Sequence, residues 1–256
     1  GADPMTARGS ASPLSRGLRH ARPALVWLLL TAVMVVLFRT WPELDLATTA
    51  LFYQPGAEPL FPWGELAPVQ FMYLTVPWIG RIAFVVCVIL LWRWRRGVPH
   101  GPLQRWRGRL RALAIVLLVG LAGVVNAGLK EHVGRPRPIN LQVFGGEHAY
   151  QPVGRVTTLC ERNCSFVSGH AATGFTLMAC GLLGSVATRR RWLALGILAG
   201  SVIGAGRIMQ GGHFLSDVIF AGLVMAGCCL LLRALWVRWR WRRRQRNRQA
   251  LAARPA

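Results

Sequence analysis

The chain has 256 residues, 53% of them hydrophobic and only 16% charged, yet Lys+Arg 31 against Asp+Glu 9 leave a net charge of +22. Soluble domains carry about 25% charge, so this hydrophobicity excludes a disordered chain, and the lack of any repeat excludes collagen-like and coiled-coil classes. A positive mean hydropathy argues against a soluble nucleic-acid binder, whereas a polytopic membrane protein with arginine-rich cytoplasmic faces fits both facts.

Gly1 to Pro4 precede Met5 and read as an expression scar. Residues 5–23 then form a basic N-terminus, 24–236 a domain of six spans, and 237–256 a basic tail. A spanning helix needs about 20 mostly apolar residues. The six candidates are Ala24–Phe38, Tyr73–Trp92, Ala112–Leu129, Ser168–Thr188, Trp192–Gly206 and Phe214–Trp236. The first and fifth are short and borrow flanking residues. The first is long for a signal-peptide core and no Ala-x-Ala-like site follows it, so it reads as a retained span.

Charge sets the orientation. Arg8, Arg16, Arg19 and Arg22 precede the first span, Arg93 to Arg111 fill the second connection, and Arg189, Arg190 and Arg191 fill the fourth. The tail runs from Arg238 to Arg254. Glu43, Asp45, Glu58, Glu65, Glu131, Glu147 and Glu161 all fall in the other connections. The positive-inside rule thus puts both termini in the cytoplasm and turns 39–72, 130–167 and 207–213 outward. The tail reads as a topology anchor on anionic headgroups, flanked by interfacial Trp236, Trp239 and Trp241, with no nucleic-acid partner.

The rare residues carry the chemistry. Lys130 is the one lysine, and Asp217 the one acid inside a predicted span. An ionisable group within a span is expensive and functional by default. Both sit at outward ends of spans, as do Arg135, Arg137, Arg207, His132, His170 and His213, so cations and imidazoles gather at one depth as an anion site would require. His213 and Asp217 are four apart and share a helix face, where the carboxylate can accept an imidazole N–H and free the other nitrogen for substrate. Alone, the pair reads equally as a polar pin between two helices.

Val167-Ser168-Gly169-His170 opens the fourth span. Ser168 can cap that helix, and its free N–H groups suit phosphate oxygens, with His170 beside them. A plain cap followed by an interfacial histidine is the alternative. In Lys130 to Pro138, two prolines hold the chain extended, so that Arg137 folds back towards Lys130 as a guanidinium–ammonium clamp. The alternative there is a basic turn on headgroups. His132 and His148 read as surface or headgroup contacts.

Taken together, Lys130-x6-Arg137-Pro138, Ser168-Gly169-His170 and Arg207-x5-His213-x3-Asp217 resemble the type 2 phosphatidic acid phosphatase family. The resemblance covers the third to sixth spans in detail and the six-span layout as a whole. It implies an all-α membrane protein with its site at the outer, periplasmic boundary. His213 is implied as the nucleophile that forms a phosphohistidine, Asp217 as its orienting partner, and His170 as acid and then base. Lys130, Arg137, Arg207, Ser168 and the Gly169 amide are implied to hold the phosphate oxygens, with no metal or other cofactor. Val167 stands where the family often has Pro, and Gly206 where it often has Ser; neither change removes a catalytic side chain.

A site at that depth meets lipid phosphates rather than cytosolic esters. Phosphatidate, phosphatidylglycerophosphate, undecaprenyl diphosphate and lipid A are the candidates. Phe144-Gly145-Gly146 through Asn163-Cys164-Ser165-Phe166 looks partly like bacterial lipid A phosphatases. Cys160 and Cys164, on the oxidising side, form either a short-loop disulfide before Ser168 or two free thiols. Asp45, Phe52 and Tyr53 in the first outer connection lie over the site as a lid or beside it. The expected home is a bacterial inner membrane. Two other functions stay open: phosphoryl transfer from one lipid to another, and non-catalytic lipid binding or transport. Oligomeric state is not legible.

Overall fold

The computed structural model describes residues 13–95, 97 and 101–252. The expected scar at 1–4, with Arg8, Arg96 and Arg254, lies outside the described residues. The fold is all-α. Its helices are α1 (Pro13–Thr40), α2 (Glu43–Ala50), α3 (Ala67–Arg93), α4 (Pro102–Ile115), α5 (Lys130–His132), α6 (Gly169–Phe175), α7 (Met178–Gly181), α8 (Val186–Met209) and α9 (Leu215–Ala252). Between α4 and α5 the chain winds on without a break as a wider π-helix, Val116–Leu129. There Asn126 donates to the Leu121 carbonyl one wide turn back, at 2.9 Å.

Among the described residues five helical stretches are long and apolar enough to cross a membrane: Arg22–Thr40, Ala67–Arg93, Gln104–His132, Val186–Met209 and Leu215–Ala250. They contain five of the six expected spans. Their outward faces carry exposed Leu29, Val36, Ile82 and Leu198, as a lipid-facing surface does.

The expected fourth span, Ser168–Thr188, is the exception. It breaks into α6 and α7, and Thr188 already belongs to α8, whose first turn is capped by Ser185 (Thr188 N–H to Oγ, 3.2 Å). The reason lies in its composition. Gly169, Gly174, Gly181 and Gly184 weaken the helix, while Thr173 and Thr176 bond back to the Gly169 and Thr173 carbonyls at 3.0 and 2.6 Å. Packing compensates for that weakness. A Cβ on Gly174 would stand 2.7 Å from the Gly200 backbone nitrogen, so α6 and α8 cross backbone to backbone. Ala171, Ala172 and Phe175 are buried there with Val125, Ala221 and Met225 from the flanking helices.

Two connections close over one end of the bundle. Tyr53, Phe61 and Phe144 pack ring on ring, with centroids 5.2 to 6.0 Å apart, beside the buried Phe214. The segment after α5 runs along residues 157–165, joined by Thr157 N–H to Val133 O (2.9 Å) and Ser165 N–H to Arg135 O (2.8 Å). Gly211 makes the turn into α9 with a φ of +60°, and a side chain there would strike the Phe61 ring.

Candidate active site

Asp217 lies in the first turn of α9, where the helix dipole favours a carboxylate. Its Oδ2 accepts the Phe214 N–H at 2.9 Å and the Ser165 hydroxyl, and its Oδ1 accepts Arg135 Nη1 at 2.6 Å. Both Asp217 and His213 are fully buried.

His213 stands just before α9. Its Nδ1 lies 2.8 Å from the Ser165 carbonyl and 3.6 Å from Asp217 Oδ2. A carbonyl oxygen can only accept, so Nδ1 carries the proton and Nε2 keeps its lone pair. The expected direct acceptance by Asp217 is therefore taken over by a backbone carbonyl, and the carboxylate is occupied by Phe214 N–H, the Ser165 hydroxyl and Arg135. Burial pushes the His213 imidazole down to about 3, with Arg207 and Lys130 acting in the same direction. Among the described residues Nε2 is buried and has no hydrogen-bond partner.

Arg207 and Lys130 act electrostatically on this imidazole. Arg207, at the end of α8, is buried, lies over the Tyr73 ring at 4.6 Å and bonds Gln210. Lys130 is buried in α5, and its Nζ would lie 3.8 Å from a Cβ on Gly169. Burial lowers the Arg137 pKa below the usual guanidinium value. Lys130, Arg137 and Arg207 all act electrostatically on His170. His170 stacks on Tyr73 at 5.3 Å and points Nε2 at the Tyr73 carbonyl, 3.1 Å away. Ser168 caps α6 through Ala171 N–H (3.4 Å), and its own N–H reaches the Asp217 carbonyl at 3.1 Å. The three sequence motifs thus converge on one end of the bundle. Cys160 and Cys164 are joined as a disulfide on the neighbouring loop. His132 bonds the Gly128 carbonyl in the preceding π-helical turn.

Sequence reasoning placed Arg135 only among the gathered cations and Asp45 only in a lid or flank, and gave Ser216 and Tyr150 no role. Arg135 is 1% exposed and joins Asp217 to Asp45, which accepts Nη2 at 2.8 Å. Asp45 also takes the Ser216 N–H at 2.8 Å and the Tyr150 hydroxyl at 3.1 Å. Burial works against the Arg135 charge, and Asp217 and Asp45 overcome it, raising its pKa. Tyr150 is raised as well, by burial and then by Asp45. The connection at 39–72 is therefore a foundation of the site through Asp45 of α2, 90 residues from Arg135 in sequence. Only the acid in α2 and the extra arginine inside the Lys130–Pro138 motif hinted at it.

The PAP2 superfamily pattern matches residues 111–243, which hold every one of the three motifs. The chain belongs to the PAP2 superfamily. The chain is also similar to the lipid A 4'-phosphatase of Francisella tularensis subsp. novicida, 32% identical over 79% of this chain and 90% of that protein. The lipid A 4'-phosphatase of Rhizobium leguminosarum is 32% identical over 74% of this chain and 86% of its own length. That of Rhizobium etli is 30% identical over 74% and 78%. No solved structure matches the chain. For this PAP2 superfamily protein the described residues contain no group of three or more His, Cys, Asp and Glu arranged to hold a metal ion.

Proposed function

We propose that the protein is a lipid phosphate phosphatase that hydrolyses phosphate groups of membrane lipids through a phosphohistidine on His213. The carrying observation is the buried, unpartnered Nε2 of His213 with Nδ1 tied to the Ser165 carbonyl. Its lone pair is aimed by a tautomer that the backbone enforces, among the cations that a phosphate needs. Names of the three relatives make lipid A the first substrate to try, ahead of phosphatidate, phosphatidylglycerophosphate and undecaprenyl diphosphate.

The reaction takes two displacements. In the first, the Nε2 lone pair attacks phosphorus, the P–N bond forms and the bond to the lipid oxygen breaks. His170 gives that oxygen its proton. The phosphorylated ring is cationic, with Nδ1–H still on the Ser165 carbonyl and Asp217 3.6 Å away to stabilise the charge. Lys130, Arg137, Arg207, the Ser168 hydroxyl and the Gly169 amide hold the equatorial oxygens. In the second step His170 takes a proton from water, which attacks phosphorus and breaks the P–N bond. Every step uses side chains of this chain, and none calls for a metal.

The arginine distribution supports a bacterial inner-membrane protein with both termini cytoplasmic and the site facing the periplasm. The test is phosphate release by the purified protein in detergent from the four lipids and glucose 6-phosphate, with chelator present and His213→Ala alongside. Release from lipid, unaffected by chelator and lost in the variant, is the expected result. No release from any lipid overturns hydrolysis. Transfer of label to an added acceptor lipid would instead identify a phosphotransferase, and lipid binding unchanged in an inert His213→Ala and wild type alike a binding protein.

A further inference from the structure

Lys130 and Arg137 both end on the same residue. Asn163 accepts Lys130 Nζ on its side-chain Oδ1 at 2.7 Å. Its backbone carbonyl accepts Arg137 Nη2 at 2.9 Å and Nε at 3.3 Å. Its N–H reaches Glu131 Oε1 at 3.4 Å. Three polar groups of one residue are thus spent on the segment 130–137. Resting on the reading of Lys130 and Arg137 as phosphate-holding cations, we propose that Asn163 is a positioning residue that joins them into one clamp, and that the Cys160–Cys164 loop holds Asn163 in place.

Charge explains why a neutral amide suits this position. Lys130 and Arg137 repel each other. A carboxylate between them would relieve the repulsion by cancelling charge that a phosphate dianion needs. An amide oxygen and a peptide carbonyl turn only dipoles towards them, so the net charge of the clamp survives. Each cation spends part of its donors on Asn163 and keeps the rest. Preordering two long side chains in this way removes rotamer entropy that phosphate binding would otherwise cost.

The backbone explains why the loop is closed. Asn163 has a φ of +50°, the one positive value among the described residues other than glycine. Asn is among the side chains that tolerate the left-handed region best. The disulfide joins cysteines four positions apart on either side of it, and Cys164, fully buried, sends its N–H to the Lys130 carbonyl at 3.3 Å. The loop is therefore anchored to the same segment whose cations it aligns.

The test uses the full chain in detergent and reads inorganic phosphate binding by phosphate-dependent thermal shift, beside KM and kcat for lipid phosphate release. Asn163→Gly keeps the left-handed backbone and the carbonyl but loses Oδ1. It is expected to weaken phosphate binding and raise KM about ten-fold, with kcat changed less than three-fold and the phosphate-free Tm unchanged. Asn163→Asp keeps the shape and adds a charge; it is expected to weaken binding at low salt, with the defect shrinking as salt is added. Cys160→Ser with Cys164→Ser is expected to raise KM about three-fold, as roughly 0.7 kcal/mol of ordering is lost. Wild-type phosphate affinity and KM in both Asn163 variants would overturn the positioning role and leave the phosphatase reading standing. An unchanged double cysteine variant would overturn the part of the loop. A wild type that releases no phosphate but binds it in an Asn163-dependent way would overturn the phosphatase reading and leave the clamp.

Discussion

Arginine does opposite things at the two ends of this bundle. At the site end Arg135 is stripped of water and held between Asp45 and Asp217, at 2.8 and 2.6 Å. At the other end Arg240 and Arg243 lie exposed over Trp236 and Trp239, at 4.7 and 5.5 Å, and the half-buried Arg109 lies over Trp106 at 4.8 Å. A desolvated guanidinium is tolerable only where carboxylates and a hydroxyl meet its donors. An exposed one keeps its hydration and gains a little from the ring face. Charge at the first end is positional, so each residue matters individually. At the second it is collective, and single residues are dispensable.

The comparison can be broken most directly at His213, the proposed nucleophile. His213→Ala is expected to lower kcat for lipid phosphate release by about 10⁴-fold or more, measured against a properly folded control. Survival of activity would remove the chemistry from this end altogether. Next comes Arg135→Met, which leaves Asp45 and Asp217 buried without their cation. Thermal or denaturant unfolding in detergent is expected to show a loss of about 3–5 kcal/mol. Arg135→Lys keeps the charge without the fork and is expected to fold while losing kcat, since one ammonium cannot span both carboxylates.

A smaller effect sharpens the picture through pH. His213 is pushed down to about 3 from an ordinary value near 6.5. Between those values the unfolded chain binds a proton that the folded chain does not. The stability that this one group contributes is therefore fully present above about pH 6.5 and is lost as pH falls towards 3. Nitrogen chemical shifts of labelled histidine at pH 5 are expected to show His213 neutral with the proton on Nδ1; an imidazolium there would contradict the enforced tautomer. Smallest of all, Arg240→Gln with Arg243→Gln is expected to change stability by about 0.5 kcal/mol or less, with kcat/KM within two-fold of wild type.

What was legible in the sequence was local. Apolar runs, arginine clusters and the spacing of Lys130–Pro138, Ser168–His170 and Arg207–Asp217 are patterns along the chain, and they identified the all-α membrane class, the family resemblance and the residues that meet at the site. Helical periodicity put His213 and Asp217 on one face, but His213 stands just before α9 and lies 3.6 Å from the carboxylate. The broken fourth segment was less legible, because its glycines read as an apolar run until α8 packs against them. Tertiary structure decided who holds whom. Asp217 turns to Arg135 and Ser165, His213 to a backbone carbonyl, and Asp45 reaches the site from another helix. Asn163 ties two cations to a loop more than 25 residues away, as its separations of 33 and 26 residues show. Such contacts leave no period in the sequence, since a buried charge is satisfied by whatever partner the packed fold brings within about 3 Å.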